Sequence, residues 1–421
     1  MQGESGSDLS AVRSAAYSCP IDELNITDLD LWRTGTFWPY FERLRDEDPV
    51  HLHPAGQHRD GPFWSVTRFE DIVAVDTNTR AFSSEGSITI DDPLEALPLP
   101  MFIAMDPPKH DEQRKTVQPI VSPTNLLAME TLIRSRVSKT LDELPIGEPF
   151  DWVDRVSIEL TGQMLATLFD FPFEDRRKLT YWSDMSTAEP DSGVWEEGRY
   201  EEQFAEVMGE CAAYFGNLWE ERASQPPKGD LISLLAHGST TREMSPEEFL
   251  GNIILLIVGG NDTTRNSMSG SVLALHQNPD QRKLLNNNPN LIPSMVAETI
   301  RWQTPLAYMR RTATQDVELG GKTIKQGDKV LMWYISGNRD GTVIDKPDEF
   351  IINREQPRRH LSFGFGIHRC MGNRLAELQL AILWEEILTR FPEINVLDYE
   401  RVPSSFVHGY SSMQVIIPRR L

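Results

Sequence analysis

FGFGIHRCMG, residues Phe363 to Gly372, sets one cysteine among three glycines, with a histidine two residues ahead of it. A helical pattern, Asn373 to Phe391, follows at once, so Cys370 stands at the mouth of a helix. Free N–H groups and the positive end of the helix dipole favour a thiolate there. Gly366 and Gly372 permit a tight turn that brings amide donors to the sulfur. Such a sulfur suits a metal tuned by hydrogen bonds around its ligand. Zinc fits poorly, because it takes four protein ligands or three and a water, and no second Cys/His pair has that spacing. A nucleophilic cysteine would take His368 or His360 as its base. A buried, inert cysteine is the plain alternative.

Upstream lies an unusual helical stretch. Ser245-Pro246-Glu247-Glu248 is a capping box with proline at the first helical position, and Asn278-Pro279 ends the pattern. The run from 246 to 278 would span roughly 50 Å. Its middle reads Gly259-Gly260-Asn261-Asp262-Thr263-Thr264, although each interior glycine costs about 1 kcal/mol relative to alanine. Either a core helix kinks there beside a solvated Asp262, or something large presses on its backbone. In the second case Thr263 can return its hydroxyl to the carbonyl of Gly259 and open a groove.

Two further pairs have helical spacing. Glu298 and Arg301 lie at i, i+3, which as a solvated pair is worth only about 0.2–0.5 kcal/mol. His110 and Arg114 lie one turn apart after Pro107-Pro108 and can face one anion, or belong to an ordinary charged face with Lys109, Asp111, Glu112 and Lys115. The cluster His51, His53 and His58 in HLHPAGQH reads as a surface turn rather than a metal site.

The stretch 363–372 resembles the haem-binding loop of the cytochrome P450 family, Phe-x-x-Gly-x-His/Arg-x-Cys-x-Gly, at Phe363, Gly366, His368, Cys370 and Gly372. Glu298-Thr299-Ile300-Arg301 resembles the family's Glu-x-x-Arg pair. Gly259 to Thr264 resembles its oxygen-activating motif, and His110 to Arg114 its propionate-binding His-x-x-x-Arg. Order and spacing agree from about Leu31 to the C-terminus. The resemblance implies a haem b whose axial ligand is the Cys370 thiolate, which favours O–O cleavage. It implies propionate contacts from His110, Arg114, Arg311 and His368, with Gly259 and Phe363 against the ring. It gives Asp262 and Thr263 the delivery of protons to bound dioxygen. It makes Glu298, Arg301 and Arg354 a buried network under the 336–369 loop.

Within that family, IVGGNDTTRNSMSG and MFIAMDPPKHDEQRK resemble the bacterial hydroxylases that oxidise the methyl end of medium-chain alkanes and fatty acids. The resemblance then implies O2 as co-substrate, and electrons from NAD(P)H through an FAD ferredoxin reductase and a [2Fe–2S] ferredoxin. It also implies a substrate pocket walled by Ile88, Leu97, Phe102, Leu255, Leu256 and Val258. Rival readings are a sterol or branched-lipid hydroxylase of the same superfamily, or a non-catalytic haem-thiolate sensor or carrier. Arg358, Arg359, Arg369 and Arg374 cluster around the cysteine loop, where they would steer an acidic ferredoxin.

Composition agrees. A net charge of −22 over 421 residues argues against nucleic-acid or anionic-membrane binding. Three scattered cysteines fit a reducing cytoplasm rather than a disulfide framework. No apolar run nears the roughly 18 residues of a membrane span, and the N-terminus has no signal-peptide core. The length alone suggests two or three domains, yet no flexible linker interrupts the chain. We therefore expect a monomer with a loose polar tail over 1–20 and one large domain over 21–421, mainly α with a small β-rich portion.

Overall fold

The computed structural model describes residues 6–421, with side chains from Ser10 onward. Among the described residues the chain is mainly α, with three small sheets. The loose tail expected over 1–20 is corrected in part: Gly6–Ser18 is a helix. The guanidinium of Arg43, on the helix Trp38–Glu47, donates to the carbonyls of Ala16 and Cys19 at 2.7 and 2.6 Å and holds the end of that helix in place. Residues 1–5 lie outside the described residues.

The axis of the molecule is the helix Pro246–Gln277. Ser245 caps it by accepting from the N–H of Glu248 at 3.2 Å, and Pro279 stops it. From Asn261 to Leu275 every residue but Thr263 is buried, so its polar side chains need partners inside the protein. Asn266 accepts from the N–H of Tyr410 at 3.0 Å, and Ser271 from the indole N–H of Trp384 at 2.8 Å. Asn252 accepts from the N–H of Phe102 at 2.9 Å and donates to Gln113 at 3.0 Å. Beside it, a Cβ at Gly251 would stand 2.2 Å from the carbonyl oxygen of Pro100. Only glycine lets the 99–102 segment cross there, and Asn252 then fixes its register.

The largest sheet has five strands in the order Val50–His53, Phe63–Val66, Lys329–Met332, Met309–Ala313, Phe82–Ser83. It carries Arg311 toward the molecule's centre. Val317–Leu319 and Lys322–Ile324 form a hairpin around Gly320 and Gly321, whose φ of 57° and 76° is the left-handed pair that such a turn requires. No helix among the described residues is long and apolar enough to cross a membrane.

Candidate active site

One cavity of about 410 Å³ lies between the long helix and the cysteine loop. The loop is defined by backbone. Gly364 and Gly366 adopt left-handed φ of 62° and 64°, which a side chain rarely tolerates. The N–H of Cys370 donates to the carbonyl of Phe363 at 2.8 Å and closes the turn. Gly372 differs from the sequence-based expectation. Its φ is −84°, open to any residue, and it serves by its N–H. That amide and the amide of Asn373 hydrogen-bond the Cys370 sulfur. Burial pushes the thiol up, while those amides, Arg114 and Arg369 pull it down. Cys370 lies deep in the molecule yet is exposed, because the surface it shows is cavity wall.

Phe363, His368, Arg114 and Arg311 line the same end. Arg311 donates to the Asp76 carboxylate at 2.8 Å. The His368 ring packs against that of His110, centroids 4.2 Å apart and planes tilted by 57°. Burial first, and Arg311, His110 and Arg114 next, hold His368 down to about 2, so it is neutral. Its Nε2 lies 2.9 Å from Ser84 Oγ. Its Nδ1, and Nε2 of His110, are buried without any partner, which a folded protein rarely leaves so.

The opposite wall is helical and apolar. Gly259, Thr263, Leu255, Leu256 and Val258 face the cavity from the long helix, and Ile88, Leu97 and Phe102 from the N-terminal segments. A Cβ added to Gly259 would meet nothing within 4 Å. The Thr263 hydroxyl donates to the carbonyl of Gly259 at 2.9 Å. The helix runs through this point as a single α-helix rather than breaking.

Asp262 does not face the cavity. It is fully buried, accepts from Arg265 Nη2 at 2.7 Å and from Asn261 Nδ2 at 3.0 Å, and has Thr187 within 3.4 Å. Arg265 also reaches Asp184 at 2.8 Å, whose side chain is 46% exposed. Burial raises Asp262 to about 6 against the pull of Arg265. The group thus reaches from the helix interior to the surface.

Glu298 and Arg301 are 0% and 1% exposed and pair bidentately at 2.8 Å. Arg354 donates to Glu298 at 2.9 Å, and Arg301 also donates to the carbonyls of Asn338 and Pro347 at 2.8 Å. These three stand away from the cavity, bracing the loop that leads to Cys370.

Asp76 has no counterpart in the sequence-based reading. Its carboxylate accepts from Arg311, from the N–H of Phe365 at 2.7 Å and from the hydroxyl of Tyr334 at 3.1 Å. It ties the cysteine loop to helix Phe69–Thr77 and to the sheet across 235 and 289 residues of chain. No local pattern announces such a contact.

These residues fit a haem. A thiolate candidate opens onto the cavity, two arginines and two partnerless imidazole nitrogens suit its propionates, and the long helix offers a side-chain-free patch at Gly259 to the ring. The relatives agree. The family model Cytochrome P450 matches residues 101–406. Linalool 8-monooxygenase from Pseudomonas putida is 36% identical, over 92% of this chain and 97% of its own. A methyl-branched lipid omega-hydroxylase from Mycobacterium bovis is 31% identical, over 94% and 95%. A cytochrome P450-153 from Novosphingobium aromaticivorans superposes with a TM-score of 0.86 at 46% identity, covering 93% of this chain and 99% of the other. CYP153D17 from Sphingomonas sp. PAMC 26605 does so with 0.88 at 48% identity, covering 95% and 100%. The cysteine at the cavity, the fold around it and these relatives converge: this chain belongs to the cytochrome P450 family of haem-thiolate monooxygenases, which use O2 and electrons from NAD(P)H.

Proposed function

We propose that the protein inserts one oxygen atom of O2 into the terminal C–H bond of medium-chain alkanes or fatty acids, giving primary alcohols. The observation that carries the reading is the shape of the wall opposite Cys370. A terminal C–H bond is stronger than an internal one, so attack at the chain end must be imposed by confinement. Leu255, Leu256, Phe102 and Leu97 supply apolar bulk beside Gly259, where there is none, so that a chain entering end-on is held laterally. The likeness to the two P450-153 structures supports it.

When bound, the haem activates O2 and, with two electrons and two protons, directs one oxygen atom into the substrate and the other into water. The chain's own residues have separable tasks in this reading. Cys370 holds the iron, its negative charge met by the amides of Gly372 and Asn373. His110, Arg114, Arg311 and His368 hold the propionates, and Gly259 and Phe363 flank the ring. Thr263 carries an exchangeable proton at Oγ1, inside the cavity. Asp262 passes protons from the surface through the group that includes Asp184. Glu298, Arg301 and Arg354 hold the proximal loop. Residues 21–421 act as one monomeric domain. Electrons come from a [2Fe–2S] ferredoxin and its FAD reductase, which dock where Arg358, Arg359, Arg369 and Arg374 are exposed around the cysteine loop.

Octane supplied with ferredoxin, reductase and NADH tests the assignment by gas chromatography of the alcohols: mainly 1-octanol is expected. Mainly secondary alcohols, or oxidation of sterols and not of linear chains, would favour the sterol or branched-lipid reading that relatives such as the steroid C26-monooxygenase of Rhodococcus jostii support. The reduced, CO-bound protein should show the red-shifted Soret band of thiolate ligation, and Cys370→Ala should lose it.

A further inference from the structure

The cavity wall carries an acid that the proposed reaction does not use. Glu189 follows the helix Arg176–Thr187 and lines the cavity. Its Oε1 accepts from the hydroxyl of Ser404 at 2.9 Å, and from the N–H and hydroxyl of Ser405 at 2.5 and 3.1 Å. Among the described residues it has no cationic partner. The other acids on this part of the wall do. Asp91 holds Arg59 at 2.6 Å, and Asp92 holds Arg310 at 2.7 Å and Lys329 at 2.8 Å. The cationic or basic lining side chains are Arg114, Arg311 and His368, all at the cysteine end, where the proposed function commits them to haem propionates.

We propose that Glu189 sets the charge of the substrate: the site takes neutral chains (alkanes, and chains ending in an ester or alcohol) and discriminates against fatty carboxylates of the same length. The inference rests on the terminal-hydroxylase reading and narrows it. A carboxylate leaving water needs a positive partner or several donors. Here the Ser404 and Ser405 donors are already spent on the protein's own acid, and among the described residues no unpaired cation faces the space. Glu189 reports the potential at that wall. Burial pushes its carboxyl up despite three donors on one oxygen, and the same surroundings penalise a second carboxylate. Ionised, Glu189 adds a like charge to a wall that offers an entering anion no countercharge.

The test uses the haem-loaded full chain at pH 7.5, where a fatty carboxyl is ionised. Methyl decanoate and decanoate are titrated while the haem absorption change is followed, with calorimetry as a second readout. Native protein should bind the ester at least tenfold more tightly, and Glu189→Gln should narrow that ratio at least fivefold through tighter decanoate binding. Equal native affinities overturn the proposal even if the variant does not fold. A variant that weakens both ligands together, leaving the ratio unchanged, makes Glu189 a mere tether of its loop and also overturns it. Product analysis separates the two levels. If both chains bind alike and are hydroxylated at the methyl end, the charge proposal fails and the terminal-hydroxylase reading stands; if neither is oxidised at that end, the reading itself fails.

Discussion

Two carboxylate–arginine pairs lie at the same i, i+3 spacing on buried helices, and they have opposite designs. In Glu298–Arg301 both side chains are sealed, the arginine also meets carbonyls of the 336–369 loop, and Arg354 completes the carboxylate. In Asp262–Arg265 the arginine Nε has no partner, the carboxyl is raised to about 6, and the chain of contacts ends at half-exposed Asp184. Spacing decides only that two groups can meet. What surrounds them decides whether the pair is sealed against a loop or left open toward the surface.

The comparison breaks most easily at Arg301. Arg301→Ala strips Glu298 of its bidentate partner inside the protein and orphans loop carbonyls, a loss of about 3–5 kcal/mol. Soluble yield and haem content should collapse; a stable, haem-replete variant would erase the contrast.

Asp262→Asn should do the reverse, folding and binding haem while turnover falls by about 10²-fold. Its pH signature follows from sign. A carboxyl raised above its unfolded value stays protonated in the native state while the unfolded chain ionises, so it costs the native protein stability as pH rises through about 4 to 6. The advantage in thermal midpoint of native protein over Asp262→Asn should therefore shrink across that window. An advantage that grows with pH would mean that Arg265 dominates and the carboxyl is simply another brace.

Thr263→Ala sharpens the proton side. Haem and substrate binding should persist while a larger share of NADH ends as hydrogen peroxide, measured as peroxide per NADH consumed. Tight coupling in this variant would take Thr263 out of proton delivery. The smallest effect is expected where neither pair is touched: Leu256→Ala should raise the proportion of secondary alcohols from octane with turnover within a few-fold of native. An unchanged product ratio would remove Leu256 from the confining wall.

The sequence announced what local chemistry can announce. The cysteine among glycines at a helix start, the Ser245 cap and the Thr263 hydroxyl returning to Gly259 all follow from neighbours along the chain, whereas the Glu248 carboxylate of the expected capping box turns instead to Lys109 and Gln113. Spacing made Glu298 and Arg301 readable as a pair, but only the family resemblance implied their burial, because the loop that seals them arrives from 37 to 56 residues away. Asp76, Asp184 and Glu189 carried no signal at all. Each is an ordinary acid in a polar stretch until the fold brings a cysteine loop, Arg265 or the Ser404–Ser405 turn against it. The helix at Gly6–Ser18 was missed because its sequence lacks an amphipathic stripe, and it is held in part by Arg43 from another element.

The crossing at Gly251 has a practical consequence for anyone reshaping this enzyme. Because Gly251 and Asn252 hold the 99–102 backbone to the long helix without using a cavity-facing side chain, Leu97 and Phe102 can be randomised while the backbone beneath them keeps its register. A library that varies these two together with Leu255 and Leu256, and leaves 251, 252, 259 and 263 alone, explores new pockets on an unchanged frame. One that replaces Gly251 moves the whole wall, and its variants should be lost at the expression screen before any substrate is offered.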